Sequence, residues 1–455
     1  MPLVTPIAAP QRVSTIHRSI LRAFLSVGAA SIIVKLVATG KEIAVASVYG
    51  CSDAMDAFLA AVLVPSLLVN LISESMNQAL VPTLVRVREQ EGRERAQQLL
   101  SSSMLSMCLL QVAATGLMAL AAHGFFPLIA SHFPPGKLEL SIRLFYGLLP
   151  IVLITGIAAN CTAVLNTLDR FAAPALTPAV ISISVFCGAM LLGGRYGIWA
   201  MVYATLAGSL LQAIIVAVMM EAYGYRFRLH WYGMNHATRE VAGQYGPVLL
   251  SAVVASGGLL VDQSMAAMLP SGSVSTLVYA NRFVSVVLSL LAGAVSTAIV
   301  PYLSQLVAHR DWASCRHTLR TWARLTALVS VPAAALLIAG ARPLVRIALQ
   351  HGYFGPRDTT VVAMALAMYA VQIPFYVVSR VYYRFLVVMR RTDLILYCGI
   401  LNLGLDIILN LVLMRRFGVA GIALATSLWM VTTLLYCWFW SRKLLARASA
   451  AEPAA

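Results

Sequence analysis

Charge is what this chain lacks. Only 11% of its 455 residues are Asp, Glu, Lys or Arg, where a soluble domain carries about 25%. So few charges cannot keep a globule of this size in water, and a soluble fold is excluded. Acidic residues are scarcer than basic ones, 17 against 33, for a net charge of +16. Lysine occurs only at Lys35, Lys41, Lys137 and Lys443. The seven cysteines include no CxxC pair, and most lie in apolar runs, where a thiol packs as a small apolar side chain. The sequence contains no GxxxxGK[ST], HExxH or Cys/His cluster. Nucleotide hydrolysis and a metal centre therefore have no support, and neither a cofactor nor catalytic residues are expected. An ion gradient, the membrane potential or the substrate gradient is left to drive any transport. The first of these would make a coupling cation a partner.

Apolar residues are what is present: 60% of the chain, with a mean hydropathy of +0.83. Runs long enough to cross a bilayer recur from end to end, which predicts an all-α polytopic membrane protein of about twelve transmembrane helices. The expected organisation is a leader over 1–18, a six-helix lobe over 19–222, a linker over 223–242, a second six-helix lobe over 243–441 and a tail over 442–455. The leader has no apolar core or small-residue cleavage site, so no cleaved signal peptide is expected. Basic residues gather in alternate short loops, as at Arg86, Arg88, Arg93 and Arg95, Arg226, Arg228 and Arg239, and Arg442, Lys443 and Arg447. This is the positive-inside pattern. It places both termini in the cytoplasm, with the chain in the cell inner membrane and surrounded by its lipids, and it accounts for the net charge without a nucleic-acid partner.

The chain also repeats itself. Arg195-Tyr-Gly-Ile-Trp-Ala resembles Arg416-Phe-Gly-Val-Ala-Gly, an offset of 221 from 195 to 416. Ala79-Leu-Val-Pro82 resembles Ala298-Ile-Val-Pro301, an offset of 219 from 79 to 298. An even number of spans per copy keeps both copies in one orientation. The expectation is two parallel six-helix repeats around a central cavity.

An ionisable side chain at the bilayer centre costs roughly 2.5–3.5 kcal/mol on insertion scales, so each one within a span needs a reason. Lys35, Lys41 and Glu42 stand in the first span. Two cations and one anion leave an excess of positive charge suited to an anionic head group, although a lysine–glutamate pair that only holds the bundle is the plain alternative. Asp56 opens the second span on the outer side and is expected to pair with Lys41 in an outer gate, unless it is an ordinary interfacial helix-start residue. Glu74 lies further down the same span, past Pro65, in the inner half. In the second half, Asp262 and Arg282 flank the Pro270–Ser273 turn and are read as a matching pair. Arg suits a diphosphate because its planar fork donates two hydrogen bonds at once. Arg380 and Arg384 read as snorkelling residues. Asn402 and Asp406, one turn apart, either pair with another helix or bind a cation.

Taken together these residues are similar to a known family. Lys41-Glu42, Asp56-Ala-Phe, Pro65, Glu74 and Ala79-Leu-Val-Pro82 resemble the opening hairpin of the MurJ/MviN lipid II flippases, in the multidrug/oligosaccharidyl-lipid/polysaccharide exporter superfamily. Val261-Asp262, Leu269-Pro-Ser-Gly-Ser-Val-Ser-Thr-Leu-Val-Tyr279-Ala-Asn-Arg282 and Val300-Pro301-Tyr-Leu-Ser304 resemble the family's pattern around spans seven and eight, and Leu165-Asn166 with Arg170 to Pro174 its loop after span four. The resemblance implies transport of lipid II, the undecaprenyl-diphosphate-linked cell-wall precursor, from the inner to the outer leaflet. It implies substrate-binding cations at Lys35, Lys41 and Arg282 and a gating carboxylate at Asp56, with Glu42, Glu74 and Asp262 in ion pairs. The chain departs from the family in having Lys at 35 and 41 in place of the usual Arg, and Val69-Asn70 in place of an arginine pair. It also carries about twelve spans where members commonly have two more.

Three function classes are distinguished by these residues. A flippase for lipid II, or for another lipid-linked oligosaccharide, needs cavity cations and has them. An ion-coupled drug exporter binding cationic substrates would want carboxylates where Lys35, Lys41 and Arg282 stand. A glycan polymerase or ligase usually needs a sizeable external loop, and none is long enough, so the chain is not expected to be an enzyme.

Overall fold

The computed structural model describes residues 11–168 and 172–450; the first ten residues of the expected leader lie outside the described residues. Helices and the turns and loops between them make up the described residues, with no strand among them. The first half holds α1 (Gln11–Tyr49), α2 (Asp53–Val69), α3 (Ser75–Gln90), α4 (Arg93–Ile129), α5 (Pro135–Leu148), α6 (Pro150–Thr167), α7 (Ala172–Leu176), α8 (Pro178–Tyr196) and α9 (Trp199–Ala222). The second holds α10 (His236–Ala266), α11 (Ser273–Ala308), α12 (Trp312–Ala339), α13 (Ala341–Leu349), α14 (Pro356–Ala370), α15 (Gln372–Val388), α16 (Thr392–Phe417) and α17 (Val419–Ala450).

Among the described residues, eleven helices are long and apolar enough to cross a membrane. The opening helix α1, with 39 residues, is long enough for a further crossing at 1.5 Å per residue. It begins within the segment expected as a leader, and α17 runs on to Ala450 through the segment expected as a tail. The outer surface is apolar: Leu120 is 87% exposed and Leu336 74%. Such side chains suit lipid and not water.

Local chemistry sets the helix ends. Ser52 caps α2 by accepting the Met55 N–H at 3.3 Å, Asn235 caps α10 through the Thr238 N–H at 2.8 Å, and Asp311 caps α12 through the Ser314 N–H at 2.9 Å. Each side-chain oxygen satisfies a donor that the helix leaves open. The sequence repeat recurs in the backbone. Gly197 after α8 has φ 54 and ψ −138, and Gly418 after α16 has φ 56 and ψ −134. Both sit in a region that glycine alone adopts readily, at equivalent places in the two halves.

Within the first half, α1 packs on α8, α8 on α9, α9 on α6 and α2 on α5; within the second, α11 packs on α15 and α17 packs on α14, α15 and α16. The halves meet through α3 on α10 and α2 on α11. The larger apolar core joins them at the Asp53 end, where Tyr49, Met55 and Phe58 share a cluster with Leu277, Tyr279 and Phe354. A smaller core lies within the first half and takes in Ala237 and Val241 of α10.

The second span is not one regular helix. Between α2 and α3, Asn70–Glu74 forms a π-helical turn, five residues beyond Pro65, which removes a backbone donor. Single π turns inside α-helices are frequently found at functional positions.

Candidate functional site

At the Asp53 end of the bundle two carboxylates of α2, Asp53 and Asp56, hold the halves together. Asp56, in the first turn of α2, is 1% exposed. Its Oδ1 accepts the N–H and the hydroxyl of Ser275, each at 2.8 Å, and its Oδ2 accepts the Gly272 N–H at 2.8 Å. These are the open donors of the first turn of α11, so a side chain from the first half caps a helix of the second. Lys137 of α5 donates to the same Oδ2 at 2.9 Å and to Asp53 Oδ1 at 2.6 Å. Ser271 also donates to Asp53, at 2.7 Å. Lys137 lies 4.2 Å from the centre of the Phe133 ring, which fixes its ammonium between the two acids. Gly272 is required at this seal: its φ is 83°, and a Cβ there would lie 2.6 Å from the Cys51 carbonyl oxygen.

The expected Lys41–Asp56 pair is therefore absent. Lys41 instead pairs with its neighbour Glu42 at 2.9 Å, because Asp56 is already saturated by Lys137 and the α11 donors. Glu42 Oε1 also accepts Arg282 Nε at 3.1 Å, which joins α1 to α11. Glu42 lies roughly two turns before the end of α1, about 10 Å beneath the seal at 1.5 Å per residue. Its side chain is 11% exposed while that of Arg282 is 59% exposed, so the guanidinium presents most of its donors outward. Lys35, further down α1, is half-buried and forms no salt bridge among the described residues. Lys41 and Arg282 outnumber the carboxylate between them, which leaves this group net positive; Lys35 stands about two turns further down α1.

The expected Asp262–Arg282 pair is also absent, because Arg282 is held by Glu42. Asp262 of α10 instead accepts Asn410 Nδ2 at 2.8 Å and Thr426 Oγ1 at 3.3 Å. Asn410 Nδ2 lies 3.2 Å from Asp406 Oδ1 as well, so α10, α16 and α17 meet at two carboxylates. A cavity of about 320 Å³ between them is lined by Gly258, Asp262, Asn402, Asp406 and Trp429. The buried Asp406 Oδ2, Asn402 Oδ1 and Asn410 Oδ1 have no hydrogen-bond donor, which makes the site rich in acceptors.

Glu74 closes the π turn and is exposed, with no ion pair among the described residues. Gln78, one turn further on, lines a cavity of about 580 Å³ with Arg380, Ser379 and Tyr383 of α15. Arg380 is not a simple snorkelling residue. Its guanidinium stacks 4.4 Å from the Tyr376 ring and 5.3 Å from that of Tyr383, and it donates to the Tyr376 hydroxyl at 2.6 Å. On the same stretch of the chain, Arg86 of α3 pairs with Glu240 of α10.

Lys137, Gly272 and Ser275 carry the seal, and the charge pattern alone did not single them out. The available signal was that Lys137 is one of four lysines and stands in the outer loop facing Asp53 and Asp56. Two repeated helix groups, sealed together at one end over a cluster of cations, define a polytopic helical membrane transporter. The family profile described as "Lipid II flippase MurJ" matches residues 45–452, and the chain belongs to that family. A "Probable lipid II flippase MurJ" of Buchnera aphidicola subsp. Acyrthosiphon pisum is 23% identical over 94% of this chain and 85% of its own length. The "Lipid II flippase MurJ" of Burkholderia cenocepacia is 25% identical over 78% of this chain and 70% of its own. Among solved structures, "Lipid II flippase MurJ, inward closed conformation" superposes with a TM-score of 0.80 at 24% identity, covering 93% of this chain and 90% of that one. A structure titled "Inward-facing conformation of a multidrug resistance MATE family transporter of the MOP superfamily" superposes with a TM-score of 0.71 at 12% identity, covering 92% of this chain and 96% of that one. These likenesses establish the fold.

Proposed function

We propose that this protein moves lipid II across the cell inner membrane by alternating access between its two halves, with both termini in the cytoplasm. The observation that carries the reading is the cluster beneath the seal: Glu42 is shared by Lys41 and Arg282, and Lys35 adds a further cation. An anionic diphosphate satisfies the donors that one carboxylate leaves over. Basic loops at the end away from Asp53 support the orientation, so the Asp56 seal faces the outer leaflet and opens to release the head group.

In that outward-open state the opposite end must close. Arg380 of the second half lines a cavity with Gln78, which stands one turn beyond Glu74 of the first half, and Glu74 and Arg380 pair when the halves come together there. The acceptor-rich site at Asp262 and Asp406 takes the coupling cation or a proton, since two buried carboxylates are compatible with burial only when their charge is offset. This reaction is transport, and no chemical step is assigned to the chain.

The test is lipid II translocation in cells depleted of their own flippase, with and without this protein. Restored outer-leaflet lipid II is the expected result. No restoration by inserted, folded protein would sink the lipid II assignment and move it to another undecaprenyl-diphosphate-linked oligosaccharide.

A further inference from the structure

A second group of cations lies apart from the transport cluster. Arg316 and Arg320 of α12 and Arg442 of α17 line one cavity of about 290 Å³ with Tyr382 of α15 and Ser441. Arg316 and Arg320 are one turn apart and share a helix face. No acidic residue lines the cavity, and none of the three arginines forms a salt bridge among the described residues. Like charges brought together in this way repel unless an anion comes between them. Arg442 is stacked 4.8 Å from the Trp438 ring centre, so its guanidinium is oriented in advance. Ser441 supplies the independent sign of a ligand. It is 1% exposed and lines the cavity, and its hydroxyl has no hydrogen-bond partner, a costly arrangement for a buried donor.

We propose that this cavity binds a phosphate group, that of an anionic phospholipid, and clamps the start of α12 to the end of α17. Guanidinium forks donate paired hydrogen bonds to phosphate oxygens, and the Ser441 and Tyr382 hydroxyls complete the donor set. Arg316 and Arg320 stand within the first three turns of α12 and Arg442 within the last three of α17, the ends at which a membrane-spanning helix meets head groups, and Leu319, Leu445 and Trp438 offer an apolar wall to the acyl chains. Basic pockets between transmembrane helices recognise anionic head groups by this chemistry. None of these residues belongs to the cluster on α1 and α11, so the site stands whether or not lipid II is the substrate.

The experiment is native mass spectrometry of the full chain titrated with dioleoylphosphatidylglycerol, dioleoylphosphatidylcholine or inorganic phosphate. The wild type is expected to retain phosphatidylglycerol at least tenfold more tightly than phosphatidylcholine. The triple variant Arg316→Gln, Arg320→Gln, Arg442→Gln loses that preference. A control triple, Arg226→Gln, Arg228→Gln, Arg239→Gln, removes the same charge elsewhere and keeps it. Equal loss in both triples, or retention in the first, overturns the site. Displacement of the lipid by millimolar phosphate, or binding of phosphate alone, overturns the lipid assignment and leaves a free-anion site. The single variant Ser441→Asp places a carboxylate among the arginines. It is expected to exclude phosphatidylglycerol and to raise the melting temperature of the lipid-free protein, so the proposal can fail even if the triple variant does not fold.

Discussion

Asp56 and Ser275 belong to different halves of the chain, yet the Ser275 hydroxyl and N–H both donate to one oxygen of the Asp56 carboxylate, at 2.8 Å each. Opening this end breaks both bonds and the Gly272 bond as well, whereas Lys137 stays with Asp56 because α2 and α5 pack within the same half. Asp56→Asn keeps the shape but sets an amide against donors and leaves Lys137 without one of its two acids. The pair with Lys137 is lost in both states, whereas the bonds that Gly272 and Ser275 donate to the carboxylate, roughly 1.5–3 kcal/mol each for a charged acceptor, are weakened in the closed state alone. Cys51 reports the change, since its Sγ lies 3.6 Å from the Thr276 hydroxyl at this seal. With the other cysteines replaced by Ala, a membrane-impermeant maleimide is expected to label Cys51 at least tenfold faster in Asp56→Asn. An unchanged rate would mean that the carboxylate does not hold the end shut.

Gly272→Ala acts on the same seal through sterics. The added methyl meets the Cys51 carbonyl at 2.6 Å, on a backbone whose positive φ already disfavours a side chain. Faster Cys51 labelling is expected together with reduced transport and normal membrane insertion. Ser273→Ala, one residue on, serves as the comparison, because among the described residues the Ser273 hydroxyl bonds only the Pro270 carbonyl. Equal labelling in the two variants would count against a seal built on close backbone approach.

The identity of the charged residues was legible in the sequence, and their partners largely were not. Apolar runs and glycine punctuation are local properties, so the spans and the repeat followed from them; Gly197 and Gly418 share both sequence context and backbone angles. Ion pairing depends on how each helix is rotated against its neighbours. Lys41 was expected to reach Asp56 and pairs with Glu42 instead, and Asp262 was expected to meet Arg282 and meets Asn410. Lys137 passed as a loop charge because its two acids lie more than eighty positions away in the chain. Arg380 was read from depth alone, and depth says nothing of the tyrosines that flank it.

Arg282 and Glu42 should separate binding from organisation. If Arg282 donates to the head group, as proposed, Arg282→Ala is expected to reduce lipid II translocation at least tenfold at normal protein levels. Arg282→Lys keeps the charge without the fork and is expected to retain a measurable part of the activity. Glu42→Gln leaves Lys41 and Arg282 without a counter-ion, so the anionic head group is expected to bind more tightly and leave more slowly. Lipid II bound to purified protein, read beside cellular translocation, checks all three. Wild-type translocation in Arg282→Ala would remove this cluster from the substrate path.

The paired carboxylates predict where ion dependence resides. Asp262→Asn and Asp406→Asn each remove one carboxyl group from a site where Asp406 Oδ2, Asn402 Oδ1 and Asn410 Oδ1 lack donors. If a cation or proton binds there, the double variant transports at a rate that no longer changes with sodium concentration or proton gradient, while the wild type responds to one of them. A double variant that keeps the wild-type response would locate coupling elsewhere.

Glu74 and Arg380 make the strongest demand on alternating access, because they carry opposite charges on opposite halves and form no salt bridge in this structure. Glu74 is the last residue of a π turn, which can relax to a regular helix by shifting register locally, and such a shift would turn its carboxylate relative to Gln78 and the cavity that Arg380 lines. On the proposed cycle, closing this end is expected to bring the two within ion-pair reach, and a partly buried pair contributes more than a surface one because water screens it less. Glu74→Arg alone sets like charges against each other and is expected to abolish transport, as is Arg380→Glu alone. The double exchange restores the attraction with its sign reversed and is expected to recover at least a tenth of wild-type translocation. Failure of the double exchange would be read beside a Glu74→Cys, Arg380→Cys protein. A disulfide in that protein under oxidising conditions shows that the residues meet, and its absence across all transport conditions shows that the inner end closes through other contacts.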